Sequence, residues 1–497
     1  MSQTLKIYHY DETFIQLSGE RHLIMELSEH FTFDVPGAEH QFQFKQKLWD
    51  GKIRLLNYFN QTIYKGLLLD IVKWCTDNSY SYEIDPEMFL QDESDPSLAV
   101  TQKFIEKLPP LLFQPYDFQL NSVHHLMNNP RAVLISPTSS GKSFIIFLMI
   151  LWHLKNHPQS KILLCVPNIG LVNQMEKEFS DYCPKLNIKS MIHKIYDGKE
   201  KYNKKAPIFI STWQSVYKMP KRYFSQFTYV MIDETHQASA ESLKGILEKC
   251  DNIKYRHGFT GTLQETEANK YVIRGLLGPA TRFVTTKDLM DRGIISKLSV
   301  YCHVLRYPEH DRKSATKFKY QDEVDFIVHH DKRNEFIAKL AASTKDSRNT
   351  LILTDYHNKK KHIQLIAEKI KKFNPEKKIF IVTGNVDADE RERIRQETEK
   401  GENIIIIATF GTFSTGINIK NLQYIIFATN SKSMIKLLQS IGRGLRLDGK
   451  DNVVKVFDIV DDFSYNRKVN YLAKHFFERI KIYTSEKFSY RITNINM

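Results

Sequence analysis

The sequence predicts two tandem α/β lobes, each built on a parallel sheet, behind a small α+β domain. Three observations carry this. Short apolar strands alternate with helical stretches in two series, one beginning near residue 112 and one after Gly293, which is the pattern of strand–helix–strand crossovers. The first strand of the first series runs straight into a serine- and glycine-rich loop and then an apolar helix. Finally, residues 1–95 hold 8 Lys and Arg against 16 Asp and Glu, so a chain of net charge +14 carries +22 outside them. A shift of that size marks a domain boundary. The expected organisation is a nucleic-acid-binding domain over 1–95, a linker over 96–111, a first lobe over 112–288, and a second lobe with a C-terminal helix over 289–497.

In the first domain, residues 5–10 alternate as a strand does, and Leu23, Ile24 and Leu27 fall at helical spacing. Residues 41–45 alternate again, and Asp50-Gly51 is a turn expected to join two strands. Residues 66–78 read as a second helix. Between residues 41 and 74, Lys45, Lys47, Lys52, Arg54, Lys65 and Lys73 face only Asp50 and Asp70. Phe42, Phe44, Trp49, Tyr58, Phe59 and Tyr64 are interleaved with them. Basic residues threaded with aromatics suit nucleic acid, which makes Lys45, Lys52 and Arg54 candidate contacts. Strand alternation sends about half of those aromatics to the core.

Residues 93–110 are polar and broken by prolines, as a linker is. Strands of the first lobe are expected at 132–136, 162–166, 208–211, 229–232 and 255–260. Strands of the second are expected at 351–354, 378–382, 403–409, 424–428 and 453–459. A helix over 359–373 carries Ile363, Ile366, Ile370 and Phe373 on one face. The C-terminal stretch 467–485 places Val469, Leu472, Phe476, Ile480 and Tyr483 on another, with Lys474, Arg479 and Lys481 off that stripe as a basic face.

The loop Ser136-Pro137-Thr138-Ser139-Ser140-Gly141-Lys142-Ser143 has the flanks a phosphate cradle needs. Backbone N–H groups and the following helix N-terminus surround phosphate oxygens. Lys142 reaches the outer phosphates, and Ser143 offers its hydroxyl to Mg²⁺. Ser136 stands where glycine is commonest, and a small residue still lets the chain turn. Some 90 residues on, Asp233-Glu234-Thr235-His236 ends a buried strand. There Asp233 suits the cation and Glu234 suits the attacking water.

Phosphate loop plus Asp-Glu-x-His resembles the superfamily 2 helicases of the DExH group. That resemblance implies two RecA-like lobes, ATP and Mg²⁺ as cofactors, and nucleic acid as partner. The other motifs follow in order. Residues 115–119 resemble the adenine-reading segment, with Gln119 presenting its amide, although the arginine frequent just upstream is absent. Residues 166–174, including Pro167 and Asn168, resemble motif Ia, and Ser211-Thr212-Trp213-Gln214 resembles motif Ib. Both contact nucleic-acid backbone in that group. Phe259-Thr260-Gly261-Thr262 resembles motif III, which couples hydrolysis to strand grip. In the second lobe residues 408–418, with Thr409 and Gly416, resemble motif V, where Asn418 replaces a frequent aspartate. Gln439-Ser440-Ile441-Gly442-Arg443-Gly444-Leu445-Arg446 resembles motif VI. Its Arg443 and Arg446 fall on one helix face, and the resemblance assigns them, with Gln439, to the transferring phosphoryl group.

Trp49-Asp50-Gly51-Lys52-Ile53-Arg54-Leu55 and residues 284–293 extend the likeness over nearly the whole chain, to the UvsW-type recombination helicases of T4-like phages. That family implies work on branched DNA: unwinding forks, migrating junctions and removing RNA from R-loops. A monomer is expected. A duplex translocase that leaves strands paired and an RNA helicase remain open. A scaffold with a vestigial ATPase is disfavoured by the intact Lys142, Asp233, Glu234, Gln439, Arg443 and Arg446.

Composition narrows the setting. The positive charge points to a polyanionic partner. Five cysteines without a C-x-x-C pair support neither zinc nor a disulfide framework. The N-terminus lacks the apolar core of a signal peptide, and the longest apolar run, 144–152, is too short for a membrane span. A cytoplasmic protein, in the host cytoplasm if phage-encoded, is expected.

Overall fold

Strand alternation in the first 20 residues is realised as an antiparallel pair, Thr4–His9 with Phe14–Ser18. The computed structural model describes residues 4–35, 37–89, 97–137, 139–196, 198–237, 240–261, 266–354, 359–384, 386–414, 422–429, 453–485 and 487–497. They divide into two compact units, Met1–Phe283 and Val284–Met497.

The first unit opens with a four-stranded sheet in the order Thr62–Tyr64, Phe14–Ser18, Thr4–His9, Ser81–Ile84. Helices Arg21–His30 and Leu68–Asp77 bury Leu23, Ile24, Leu27, Ile71 and Trp74 against Leu5, Ile7, Ile15 and Leu17. Two details differ from the sequence reading. Residues Phe42–Lys45 form a short helix with none of its residues buried, so their alternation has no sheet face to satisfy. Gly51, at φ +79°, does turn the chain, but the strand after it, Lys52–Arg54, pairs with Thr32–Asp34 from before the turn segment.

The expected linker is also more ordered than its composition suggests. Residues Leu98–Glu106 form a helix whose Phe104 and Ile105 are buried in the core of the first lobe. Apolar spacing there outweighs the flanking prolines.

The first lobe has, among the described residues, a seven-stranded all-parallel sheet. Its order is Ala280–Arg282, Arg131–Ile135, Tyr255–Thr260, Tyr229–Ile232, Ile162–Val166, Ile208–Thr212, Ile192–Ile195. Successive side chains point to opposite faces. Ala132 and Leu134 therefore join one core with helix Lys142–Asn156, while Val133 joins the other. That second core is continuous with the core of the N-terminal module.

The module is thus docked rather than tethered. A Cβ on Gly66 would sit 2.2 Å from the Arg274 carbonyl oxygen, so only glycine allows this approach to helix Glu267–Leu277. Asp70 pairs with Arg274 at 2.8 Å. Glu12 pairs with Arg131 at 2.9 Å and Lys65 at 3.1 Å. Burial opposes the charge on Glu12, but the two cations hold its pKa below the usual carboxylate value.

The second unit has its own all-parallel sheet, seven-stranded among the described residues. Its order is Lys378–Val382, Ile404–Thr409, Thr350–Thr354, Tyr424–Phe427, Val453–Asp462, Lys297–Arg306, Ser489–Asn496. It begins at Val284, a few residues before the expected 289. Buried Arg333 is held by Asp461 at 2.7 Å, and Tyr307 donates to the same carboxylate. The C-terminal helix is Tyr471–Ser485, with Leu472, Phe476 and Tyr483 buried as expected. Arg479 belongs to the buried side as well, which corrects its placement on a basic face. Its guanidinium pairs with Asp458 at 2.9 and 3.0 Å in the core. Among the described residues no helix is long and apolar enough to cross a membrane.

Candidate active site and nucleic-acid surface

Apart from the adenine-reading segment, which opens helix Asp117–Asn128, the motifs of the first lobe sit at the C-terminal ends of parallel strands, where open α/β sheets bind ligands. Reading across the sheet, Ser136 follows Arg131–Ile135, Thr260 closes Tyr255–Thr260, and Asp233 follows Tyr229–Ile232. Pro167 and Asn168 follow Ile162–Val166, and Thr212 closes Ile208–Thr212. Phosphate-loop, motif III and Asp-Glu-x-His strands therefore occupy one stretch of the edge, and motif Ia and Ib strands the next.

The loop is held from within and from outside. The hydroxyls of Ser136 and Ser140 lie 2.6 Å apart, and Ser140 also donates to the Pro137 carbonyl. Ser139 and Gly141 take left-handed backbone conformations, at φ +66° and +81°. Gly141 caps helix Lys142–Asn156. A Cβ on it would meet Gln119 Nε2 at 2.3 Å. Gln119 is itself buried: Nε2 donates to the Ser140 carbonyl at 2.8 Å, and Oε1 accepts from the Tyr116 N–H at 2.9 Å. The amide expected to face adenine is in this structure a brace between the preceding helix and the phosphate loop.

Lys142 Nζ lies 2.9 Å from Asp233 Oδ1 and is paired with Glu234. Burial works against the ammonium, yet the two carboxylates outweigh it and raise its pKa, so Lys142 is charged at neutral pH. Burial raises the Asp233 carboxyl above its ordinary value, with Lys142 opposing. Asp233 Oδ1 is buried and makes no hydrogen bond of good geometry, its neighbour being the ion-paired ammonium. Glu234 has φ +48°, a left-handed conformation that a non-glycine residue adopts at a cost.

His236 and Thr260 lie within the motifs, and the sequence alone assigns neither a role. His236 Nδ1 lies 2.6 Å from Thr260 Oγ1, and its ring lies 3.4 Å from Glu234 Oε2. The chain Lys142–Glu234–His236–Thr260 thus links phosphate loop to motif III. The fourth position of Asp-Glu-x-His was the available signal.

The nucleic-acid candidates separate into two groups. Lys45, Lys52 and Arg54 are exposed. Four neighbouring rings, Phe42, Phe44, Tyr58 and Phe59, are exposed as well, and Tyr64 is buried. More of these aromatics face solvent than alternation suggested, because Phe42–Lys45 is not a strand. Asn168 is exposed and caps helix Ile169–Tyr182 by accepting from the Leu171 N–H. Thr212 and Thr409 are buried, and their hydroxyls meet those of Ser215 and Thr412 at 2.8 and 2.7 Å. Thr138, Gly416, Gln439, Arg443 and Arg446 lie outside the described residues.

Comparison with known proteins agrees with this layout. Residues 4–85 match the family model "DNA helicase UvsW, N-terminal". Residues 100–265 match "Type III restriction enzyme, res subunit", and residues 331–448 match "Helicase conserved C-terminal domain". The ATP-dependent DNA helicase uvsW of Enterobacteria phage T4 is 34% identical over 99% of this chain and 100% of its own length. The crystal structure of T4 UvsW superposes with a TM-score of 0.53, covering 99% of both chains. The DNA 3'-5' translocase XPB2 of Sulfurisphaera tokodaii is 24% identical over 80% of this chain and 94% of its own.

Proposed function

This chain belongs to the UvsW family of ATP-dependent DNA helicases, and we propose that it acts in the cytoplasm as a motor on branched DNA, unwinding forks, junctions and R-loops. The observation that carries the reading is the shared ammonium: one largely buried lysine of the phosphate loop in contact with both carboxylates of Asp-Glu-x-His. An ordinary strand-end turn has no reason to gather three largely buried charges, because desolvating them is costly. A site awaiting a polyphosphate does.

Residues 136–143 would cradle the phosphates of ATP, with Lys142 moving from the carboxylates to phosphate oxygen. Asp233 and Ser143 supply the hard oxygen donors that Mg²⁺ takes, and the buried Asp233 Oδ1, 2.9 Å from an ammonium, fits a cation site. Bound there, Mg²⁺ would neutralise phosphate charge. Glu234 would orient and deprotonate the attacking water. Arg443 and Arg446 would stabilise the transferring phosphoryl group. His236 and Thr260 would pass the state of Glu234 to motif III, whose strand is separated from the motif Ia strand by the Asp-Glu-x-His strand alone. The exposed basic and aromatic face of the N-terminal module, with Lys45, Lys52 and Arg54, would grip DNA beside the motor.

The test is a panel of forked, four-way and RNA–DNA substrates with ATP, scored for both ATPase stimulation and strand separation. Separation of branched DNA supports the reading. Stimulation by blunt duplex without separation favours a translocase, and stimulation by RNA alone favours an RNA helicase.

A further inference from the structure

A groove of about 720 Å³ opens between segment 54–64 of the N-terminal module and two helix ends of the first lobe, all within one compact unit. Its volume lies within the ~300–1,000 Å³ range of small-ligand sites. The lining is aromatic from floor to rim. Phe14 and Tyr64 stack with centroids 5.3 Å apart and ring planes 24° from parallel. The Tyr64 hydroxyl donates to Glu248 of the lobe at 2.6 Å, which fixes the module side of the groove to the lobe side. At the rim Tyr10, Tyr58 and Phe59 are 58%, 37% and 98% exposed.

Charge decides what such a groove takes. Arg54 and Lys221 are its cations, and Asp11, Glu248 and Asp251 its acids. Three carboxylates against two cations disfavour a phosphate inside. The acids are also committed: Asp11 accepts from the Thr13 and Phe14 N–H groups at 2.6 and 2.7 Å, and Asp251 pairs with Lys221. A neutral, flat, hydrogen-bonding group suits the space better. Asn57 and Asn60 use their side-chain oxygens on the turn, accepting from the Phe59 and Thr62 N–H groups at 3.1 and 3.3 Å. Their amide nitrogens remain as donors on the lining.

We propose that this groove holds an unpaired nucleobase of the DNA, stacked on Phe59 with its edge against Tyr58, whose ring stands at 77° to that of Phe59, while its phosphates stay outside. The proposal rests on the N-terminal module being a DNA-binding element and narrows it. The module then selects broken pairing, as found where strands part, rather than duplex backbone. Because Tyr64–Glu248 ties the two walls together, a base held there would be fixed relative to the ATPase lobe.

The experiment compares binding of a short single strand with that of its fully abasic counterpart, which carries the same phosphates. The full chain, Tyr58→Ala/Phe59→Ala and Phe59→Trp are each measured by fluorescence anisotropy, with melting temperatures as a folding control. Wild type is expected to prefer the base-bearing strand by about 10-fold, the scale of one aromatic–base stack. Tyr58→Ala/Phe59→Ala should lose that preference, binding both strands as wild type binds the abasic one, and Phe59→Trp should keep it. A double variant that retains the preference, or that weakens both strands equally, overturns the proposal. DNA-stimulated ATPase in the same wild-type preparation separates the two levels: stimulation without base preference rejects the groove alone, and absence of stimulation rejects the helicase reading.

Discussion

Lys142 Nζ stands 2.9 Å from Asp233 Oδ1 and also pairs with Glu234. The lysine that should hold a phosphate is thereby already saturated by the two acids that should serve the cation and the water. Nucleotide binding becomes an exchange of anions around one ammonium. Each carboxylate it leaves must find a new cation or proton, which couples phosphate contact to the arming of Asp233 and Glu234.

Lys142→Ala removes the centre of that exchange. ATPase should fall by at least ~10²-fold, the scale for one preorganised electrostatic contact. DNA affinity, measured by anisotropy without nucleotide, should change less than about 2-fold. ATP turnover close to wild type would refute the assignment of the loop.

Glu234→Gln keeps the shape of the side chain and leaves Asp233 to pair with Lys142. Nucleotide should still bind. Phosphate release in a single turnover should slow by ~10²–10⁴-fold, the usual share of a general base. A normal phosphate burst would remove Glu234 from that role.

His236→Ala breaks the 2.6 Å contact to Thr260 and the 3.4 Å approach to Glu234 Oε2, while leaving Lys142 paired with Asp233 and Glu234. ATP hydrolysis should persist within about 10-fold while strand separation per ATP drops, because one neutral hydrogen bond contributes only ~1 kcal/mol but lies on the path to motif III. Parallel ATPase and unwinding assays check this. Equal losses in both would make His236 part of the hydrolytic machinery instead.

Most of the lobe framework was legible because buried parallel strands read as apolar runs. All ten expected lobe strands are present, including Ile162–Val166 and Ile404–Thr409. Four others escaped. Ala280–Arg282 and Ile192–Ile195 are short, and Ser489–Asn496 is an edge strand that is almost wholly exposed. Lys297–Arg306 does alternate, but Ser299 and His303 interrupt its apolar look. The site was legible as residue types in order, whereas its connections were not. Nothing in sequence says that Gln119 braces Ser140, or that Arg479 turns inward to Asp458. Those depend on which group lies across the fold, and a charged residue on a helix gives no sign that its partner is buried.

Arg479→Ala tests that inward placement. Both Nε and Nη2 bond Asp458, and Tyr483 donates to the same carboxylate at 2.9 Å. Removing the guanidinium leaves a buried carboxylate unpaired, a loss of about 3–5 kcal/mol. Denaturation should show it directly. DNA affinity of the remaining folded protein should be unchanged, in contrast to the outcome for a surface cation.

Acid should destabilise the first unit through two histidines that fold neutral. His153 and His257 are wholly buried. Burial pushes their pKa values down to about 3 and about 4 from 6.5. His257 lies between the Tyr229 hydroxyl at 2.5 Å and the Asn129 carbonyl at 2.7 Å, and His153 meets the Thr228 hydroxyl at 2.9 Å. Below pH 6.5 the unfolded chain binds protons that the folded chain refuses, so stability falls with pH. The loss continues until the folded values near 3–4 are reached. Each group contributes up to ~1.4 kcal/mol per pH unit in that window. Melting temperature measured from neutral pH down to about 5 should therefore decline, and His257→Gln should flatten the slope even if it lowers stability at neutral pH. A variant whose slope matches wild type would show that His257 takes up its proton in the folded state.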